Sequence, residues 1–241
     1  MCERDCPARV LKVVDGKVTI VQENLGNCLK CGHCTSVCRR GAVSLFNQTA
    51  KPLPSEKSTV ESAILHRRSV RTFKGAIPNE ELKELLNITR YAPSACNFRP
   101  IKFLVINRPK LTEIIAQLSQ KVLEQNEAPA MFINVCKLQA KVDVIGRNAP
   151  HMVVAYCDEK MKTWGVDDAS IALAEMELLA TTKGYGTFWC GFMKVLLSSP
   201  AAMEFIGLKG MVCCGCMGMG VSGITYANEV EREDVDIKIM E

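Results

Sequence analysis

Residues 164–191 read WGVDDASIALAEMELLATTKGYGTFWCG, and the hydrophobic period changes inside them. From 167 to 182 apolar side chains recur at helical spacing, and Lys183-Gly184 supplies a glycine stop. GTFWC, directly after it, is short, aromatic and β-branched, as a strand would be. Working outward, MVVAYC (152–157) and KFLVIN (102–107) also read as strands. Helices are expected over 110–124, over 58–66, and after Asn79, taken as an N-cap, with Leu82, Leu85 and Leu86 on one face. On the C-terminal side GMVCCGCMGM (210–219) is again β-like. Helices and strands so interleaved predict an α+β fold, a mixed sheet packed between helices, rather than a bundle.

The first part of the chain is different. RVLKVV and KVTIV, two short β-like runs, flank Asp15-Gly16, a strong hairpin signal. A third run, AVSLF, follows at 42–46. From Asn47 to Lys57 the segment NQTAKPLPSEK is polar with two prolines and reads as a linker, so that a small domain over 1–50 precedes a larger one over 58–241.

Composition narrows the class of function. Of 241 residues, 48% are hydrophobic and 23% charged, ordinary for a chain with a real core. A net charge of +4, with both signs interspersed, argues against nucleic acid or membrane as partner. No apolar stretch approaches the roughly 18 residues of a membrane span, and MCERDC lacks the shape of a signal peptide, so a cytoplasmic protein is expected. Thirteen cysteines in such a setting point to metal ligation or redox work, and six of them fall within the first forty residues.

Cys28, Cys31, Cys34 and Cys38 form C-x2-C-x2-C-x3-C, the spacing of bacterial ferredoxins, where three thiolates grip one cubane and the fourth ligates the other. Zinc is the competing reading, but zinc usually takes two separated cysteine pairs. Upstream, Cys2-Glu-Arg-Asp-Cys6-Pro7 resembles the second half of another copy without its first two cysteines. Crossed ligation as in two-cluster ferredoxins gives one complete [4Fe–4S] set, Cys6 with Cys28, Cys31 and Cys34. A companion site would keep only Cys2 and Cys38; either that cluster has been lost, or the missing C-x2-C lies upstream of the start given. Arg39 stands where ferredoxins usually place proline. A small ferredoxin-like iron–sulfur domain is therefore expected over 1–50.

The larger domain opens on HRRSVRTF, three guanidiniums and a hydroxyl within five residues, a donor set suited to phosphate, although a solvated basic turn reads similarly. Together with APSACNFRP, RNAPHMVVAYC, WGVDDASIALAEMELLATTKGYGTFWCG and NEVEREDVDI, it resembles the nitroreductase family over 58–241. The resemblance implies an FMN-dependent reductase. Arg67, Ser69 and Arg71, joined by Arg68, would hold the FMN phosphate and ribityl chain, with Arg232 a weaker candidate. Pro93, Ser94, Ala95 and Asn97 would reach the flavin of a second subunit, making a homodimer obligatory. A backbone N–H of Cys190 or Gly191 would face flavin N5. Arg99-Pro100-Ile101 departs from the family's Gln-Pro-Trp and puts the pocket wall in question.

These readings combine into an iron–sulfur flavoprotein oxidoreductase. One-electron chemistry at a 4Fe-4S cluster would feed FMN, which would reduce a small nitroaromatic or quinone-like acceptor by hydride transfer. The donor would be an external ferredoxin or NAD(P)H. The alternatives are a redox sensor or electron carrier with no small substrate, and a reductive dehalogenase or flavin-modifying enzyme using 110–148 as a lid. Cys213, Cys214 and Cys216 read as strand filler, with alternation placing Cys214 and Cys216 on one face. Cys96, Cys136 and Cys157 read as filler too, and Trp164, Trp189 and Phe98 as core or pocket lining.

Overall fold

A computed structural model describes residues 1–44, 52–53, 59–230 and 232–240. The chain forms two compact units, one of 1–66 with 224–241 and one of 67–223. The expected boundary thus shifts: 59–66 and the tail from Ile224, read above as parts of the larger domain, group with the N-terminal segment. The expected linker and the end of AVSLF lie mostly outside the described residues, and Ala42–Ser44 form no strand.

In the first unit a short helix α1 (Cys2–Asp5) precedes the antiparallel hairpin β1 (Leu11–Val14) and β2 (Lys17–Ile20), paired from Leu11↔Ile20 to Val14↔Lys17. Asp15 (φ 49) and Gly16 (φ 75) are both left-handed, the conformation a tight two-residue hairpin turn demands. Helices α2 (His33–Val37) and α3 (Val60–His66) complete the unit's regular structure among the described residues.

The second unit is a five-stranded sheet between two helical layers. Its strands are β3 (Phe73–Gly75), β4 (Lys102–Asn107), β5 (His151–Asp158), β6 (Tyr185–Trp189) and β7 (Met211–Ser222); its helices are α4 (Asn79–Asn87), α5 (Arg108–Gln125), α6 (Ala130–Gln139), α7 (Lys162–Thr182), α8 (Gly191–Leu196) and α9 (Pro200–Phe205). The order is β3-β7-β5-β4 with β6 also on β7, every ladder antiparallel. The parallel element of the expected mixed sheet is an isolated bridge, Ser69↔Thr187.

β5 shows how one strand serves two cores. Met152 and Val154 pack with Leu111, Ile115 and Met193 on one face, while Val153, Ala155 and Cys157 pack with Leu173, Met176 and Leu85 on the other. Strand alternation produces that division. Three expectations need correction. Asn79 is the first helical residue and makes no cap; the extended Pro78 before it sets the entry into α4. Within the 110–148 segment the α5 part is no lid, because it buries Leu111, Ile114, Ile115 and Leu118 in the core. Trp164 is exposed, as is Cys96, and neither fills the core, whereas Phe98, though exposed, lines a cavity as expected.

Candidate functional site

In the second unit, the segment 67–71 is stitched to β6. Val70 N–H donates to Thr187 O at 2.7 Å, and Gly186 lets Val70 lie against the strand: an added Cβ would come within 2.7 Å of Val70 Cβ. This anchorage sets out the arginine group. Arg67 pairs at 3.7 Å with Glu177, a buried acid of α7 that also accepts from Thr187 Oγ1 (2.9 Å) and Trp189 Nε1 (3.2 Å). Arg71 lies over the Phe188 ring and donates to Ser69 O. Arg68 is buried and donates to Arg67 O.

β6 then delivers Cys190 and Gly191. The Cys190 N–H is already spent on Cys216 O at 2.8 Å, so of the two expected donors toward a flavin the structure leaves Gly191, first residue of α8. A Cβ added to Gly191 meets nothing within 4 Å. The Cys190 thiol is pushed up to about 11 by burial and donates to Ile145 O, which makes it a packing group rather than a nucleophile.

The segment Pro93–Asn97 is held from behind. Asp168 Oδ1 of α7 accepts the Ala95 N–H, and Ser94 Oγ accepts the Arg99 N–H. Cys96 (φ 49), Asn97 (φ 56) and Arg99 (φ 47) are all left-handed without being glycine, a local cost that persists only where surroundings over-determine it. The turn leaves Asn97, Phe98 and Arg99 exposed, and Phe98 and Arg99 line, with Arg90, Ser94, Ile101 and Asp168, a cavity of about 500 Å³.

In the first unit, Cys6, Cys28, Cys31 and Cys34 line one cavity of about 150 Å³ walled by Val10, Leu11, Ile20 and Leu25. The Cys34 thiol is raised to about 11, first by burial and then by the proximity of Cys31 and Cys6. Cys2 and Cys38 do not line this cavity. Backbone N–H groups reach two of the cysteine sulfurs at matching offsets, Val10 to Cys6 Sγ (3.3 Å) and Ala42 to Cys38 Sγ (3.2 Å), an echo of the half-repeat read in the sequence. Among the described residues no three His, Cys, Asp or Glu side chains stand close enough to hold a single metal ion. Arg232, the weaker phosphate candidate, groups with this unit, 3.5 Å from Cys31 O, whereas 67–71 belong to the second.

The nitroreductase family profile matches residues 64–221, well over half of the sequence. The chain belongs to the nitroreductase family. A nitroreductase of Bacteroides fragilis solved with bound FMN superposes with a TM-score of 0.62 at 22% identity, covering 76% of this chain and 100% of that one. A second, from Desulfitobacterium hafniense and also with FMN, gives 0.61 at 20% identity over 75% and 98%. A Methanothermobacter thermautotrophicus protein, provisionally named an NADH dehydrogenase/NAD(P)H nitroreductase, is 29% identical over 139 residues, 56% of this chain. The match spans 62% of that relative's length, under two thirds. These comparisons bear on the nitroreductase unit; none of them speaks for an iron–sulfur module.

Sequence reading missed two acids that organise the nitroreductase unit, Glu177 and Asp168. Each sits on α7 beside or two residues from another acid, Asp167 or Glu175, and is buried, at 3% and 5% exposure. Acids so grouped on a helix read as a solvated face, and only tertiary placement reveals otherwise.

Proposed function

We propose that this nitroreductase-family chain is an FMN-dependent oxidoreductase fed by an iron–sulfur module. When bound, FMN supplies hydride from N5 and a [4Fe–4S] cluster supplies single electrons. Arg67, Arg68, Ser69 and Arg71 donate to the flavin phosphate and ribityl chain, with Glu177 fixing Arg67 and the Thr187 bridge fixing the segment. The Gly191 N–H is the donor toward the flavin ring, and the open space over Gly191 admits a flat ring that a side chain would exclude.

Cys6, Cys28, Cys31 and Cys34 hold the cluster. The observation carrying this half is that four thiols, separated by up to 28 positions in sequence, wall one mostly apolar cavity. Such a cavity suits a group larger than a single ion, and it desolvates the thiols that would ligate it. Cys2 and Cys38 are outside that set, so one cluster per chain is the reading.

The homodimer that the family resemblance implies is supported by the outward, strained 93–97 turn together with an exposed α7 stripe that includes Trp164 (56%) and Ile171 (39%). The acceptor is a small nitroaromatic or quinone-like molecule, and the donor NAD(P)H or an external ferredoxin. Anaerobic purification with iron, sulfide and flavin quantified per chain tests the whole. About four irons and one FMN are expected. One FMN without iron would leave a reductase and remove the electron-feeding half, and about eight irons would bring Cys2 and Cys38 into a second site.

A further inference from the structure

Flavin and cluster together leave unused the run Cys213-Cys214-Gly215-Cys216 on β7. In its ladder with β5, Tyr156 pairs with Cys213, Ala155 with Gly215 and Val154 with Cys216, so Cys214 is the extra residue of a bulge. The bulge changes which thiols share a face. Cys213 and Cys216 stand opposite residues two apart on β5 and so point the same way, whereas Cys214 turns to the other face, its Sγ 3.4 Å from that of Cys157. Simple alternation, which would pair Cys214 with Cys216, is overturned here.

The Cys213 and Cys216 sulfurs are 3.5 Å apart. A two-residue strand interval of about 6.6 Å separates positions so related, within the span a disulfide bridges. The two thiols are unequal. Cys213 is half-buried, and its thiol is held below the ordinary cysteine value by the hydrogen bond with Cys216 and by nearby Lys194. Cys216 is 2% exposed, and burial pushes its thiol well up. A reachable, more acidic thiol backed by a buried neutral one is the arrangement of an attacking and a resolving cysteine. The Cys157–Cys214 pair lacks this asymmetry, since both are buried and both are raised.

We infer that Cys213 and Cys216 form a thiol–disulfide exchange site whose oxidant is a low-molecular-weight disulfide, RSSR. The Cys213 thiolate attacks one sulfur of RSSR; a Cys213–SR bond forms, the S–S bond breaks, and RS⁻ leaves to take a proton as RSH. The Cys216 sulfur then attacks Cys213 Sγ and expels the second RS⁻, which takes the Cys216 proton. The chain loses two electrons and RSSR gains them, giving one Cys213–Cys216 disulfide and two RSH.

The test uses the full-length protein under argon with oxidised glutathione as probe, followed by iodoacetamide and mass spectrometry of the tryptic peptide 210–232. The expected product carries a Cys213–Cys216 disulfide with Cys214 alkylated, each such disulfide accounting for two molecules of reduced glutathione. Within that peptide, Cys216→Ser should stop at one glutathione held on Cys213, and Cys213→Ser should take up none. Recovery of Cys213 and Cys216 fully alkylated in the wild-type peptide, or a disulfide made by Cys214, would overturn the inference. The wild-type measurement decides the matter even where a variant fails to fold, which its FMN content would reveal.

Discussion

Gly186 and Gly191 stand close in one run of sequence, and only structure separates their tasks. A methyl at Gly186 drives into Val70, so Gly186→Ala should cost about 1–3 kcal/mol by overpacking and lower the melting temperature of the flavin-free protein. A methyl at Gly191 meets nothing. Gly191→Ala should therefore leave the flavin-free melting temperature unchanged while weakening FMN retention in equilibrium dialysis. Wild-type FMN affinity in Gly191→Ala would remove the ring from this position. The arginine group was legible beforehand, because three guanidiniums within five residues are conspicuous whatever the fold. Glu177 was not, since its three partners Arg67, Thr187 and Trp189 are gathered only by tertiary structure.

Elements were legible where their period was long and their ends were marked. α5, β4 and β5 lie close to where spacing put them, and α7 ends at Lys183-Gly184 as the glycine stop required, although it begins at Lys162, five residues before the expected 167. What periodicity could not show is the β7 bulge, because a run of small cysteines and glycines carries no contrast between faces. Nor could it show how a loop is pinned to a strand. His151 at the start of β5 does this, accepting the Ile77 N–H on Nε2 at 3.0 Å and contacting Asn107 Oδ1 through Nδ1 at 2.7 Å. Nε2 must then keep its lone pair, so the folded protein needs the neutral ring with the proton on Nδ1. Burial lowers the His151 pKa below the ordinary histidine value. With the folded pKa depressed, the unfolded chain binds the extra proton first as pH falls. Stability from this group is complete above about pH 6.5 and declines as pH drops from there toward the folded pKa. Denaturant unfolding from pH 7.5 to 5.5 should show this decline, and His151→Gln should flatten it; an equal slope in the variant would assign the pH dependence elsewhere.

At the scale of the whole molecule, the chain begins in one unit, passes through the nitroreductase unit and returns at Ile224 to the unit it started from. The return was invisible in the sequence, where family resemblance claimed the tail for the larger domain and no local pattern names a partner some 190 residues away. Its grip falls on the cysteine-bearing loop. Ser36 Oγ donates to Asn228 O at 2.6 Å, Ser36 O accepts the Ala227 and Asn228 N–H groups, and Asn228 Nδ2 donates to Thr35 O (3.1 Å) and Cys38 O (2.9 Å). Val230 fills the place where a Cβ on Gly32 would stand, so Gly32 (φ 72) meets two demands that glycine alone satisfies. The tail is thus a clamp on the helix that carries Cys34. Asn228→Ala takes the donor from two carbonyls, each worth about 0.5–1.5 kcal/mol, and should raise local opening of 32–38 by about 5–150-fold. Hydrogen exchange read by mass spectrometry over that loop measures the change. With the proposed cluster in the first unit, the same variant should lose iron more readily to a chelator while retaining FMN, because the hydrogen bonds removed all lie within that unit. Unchanged exchange at 32–38 would mean the tail does not hold the loop, whereas FMN lost in step with iron would mean the two units do not load their cofactors separately.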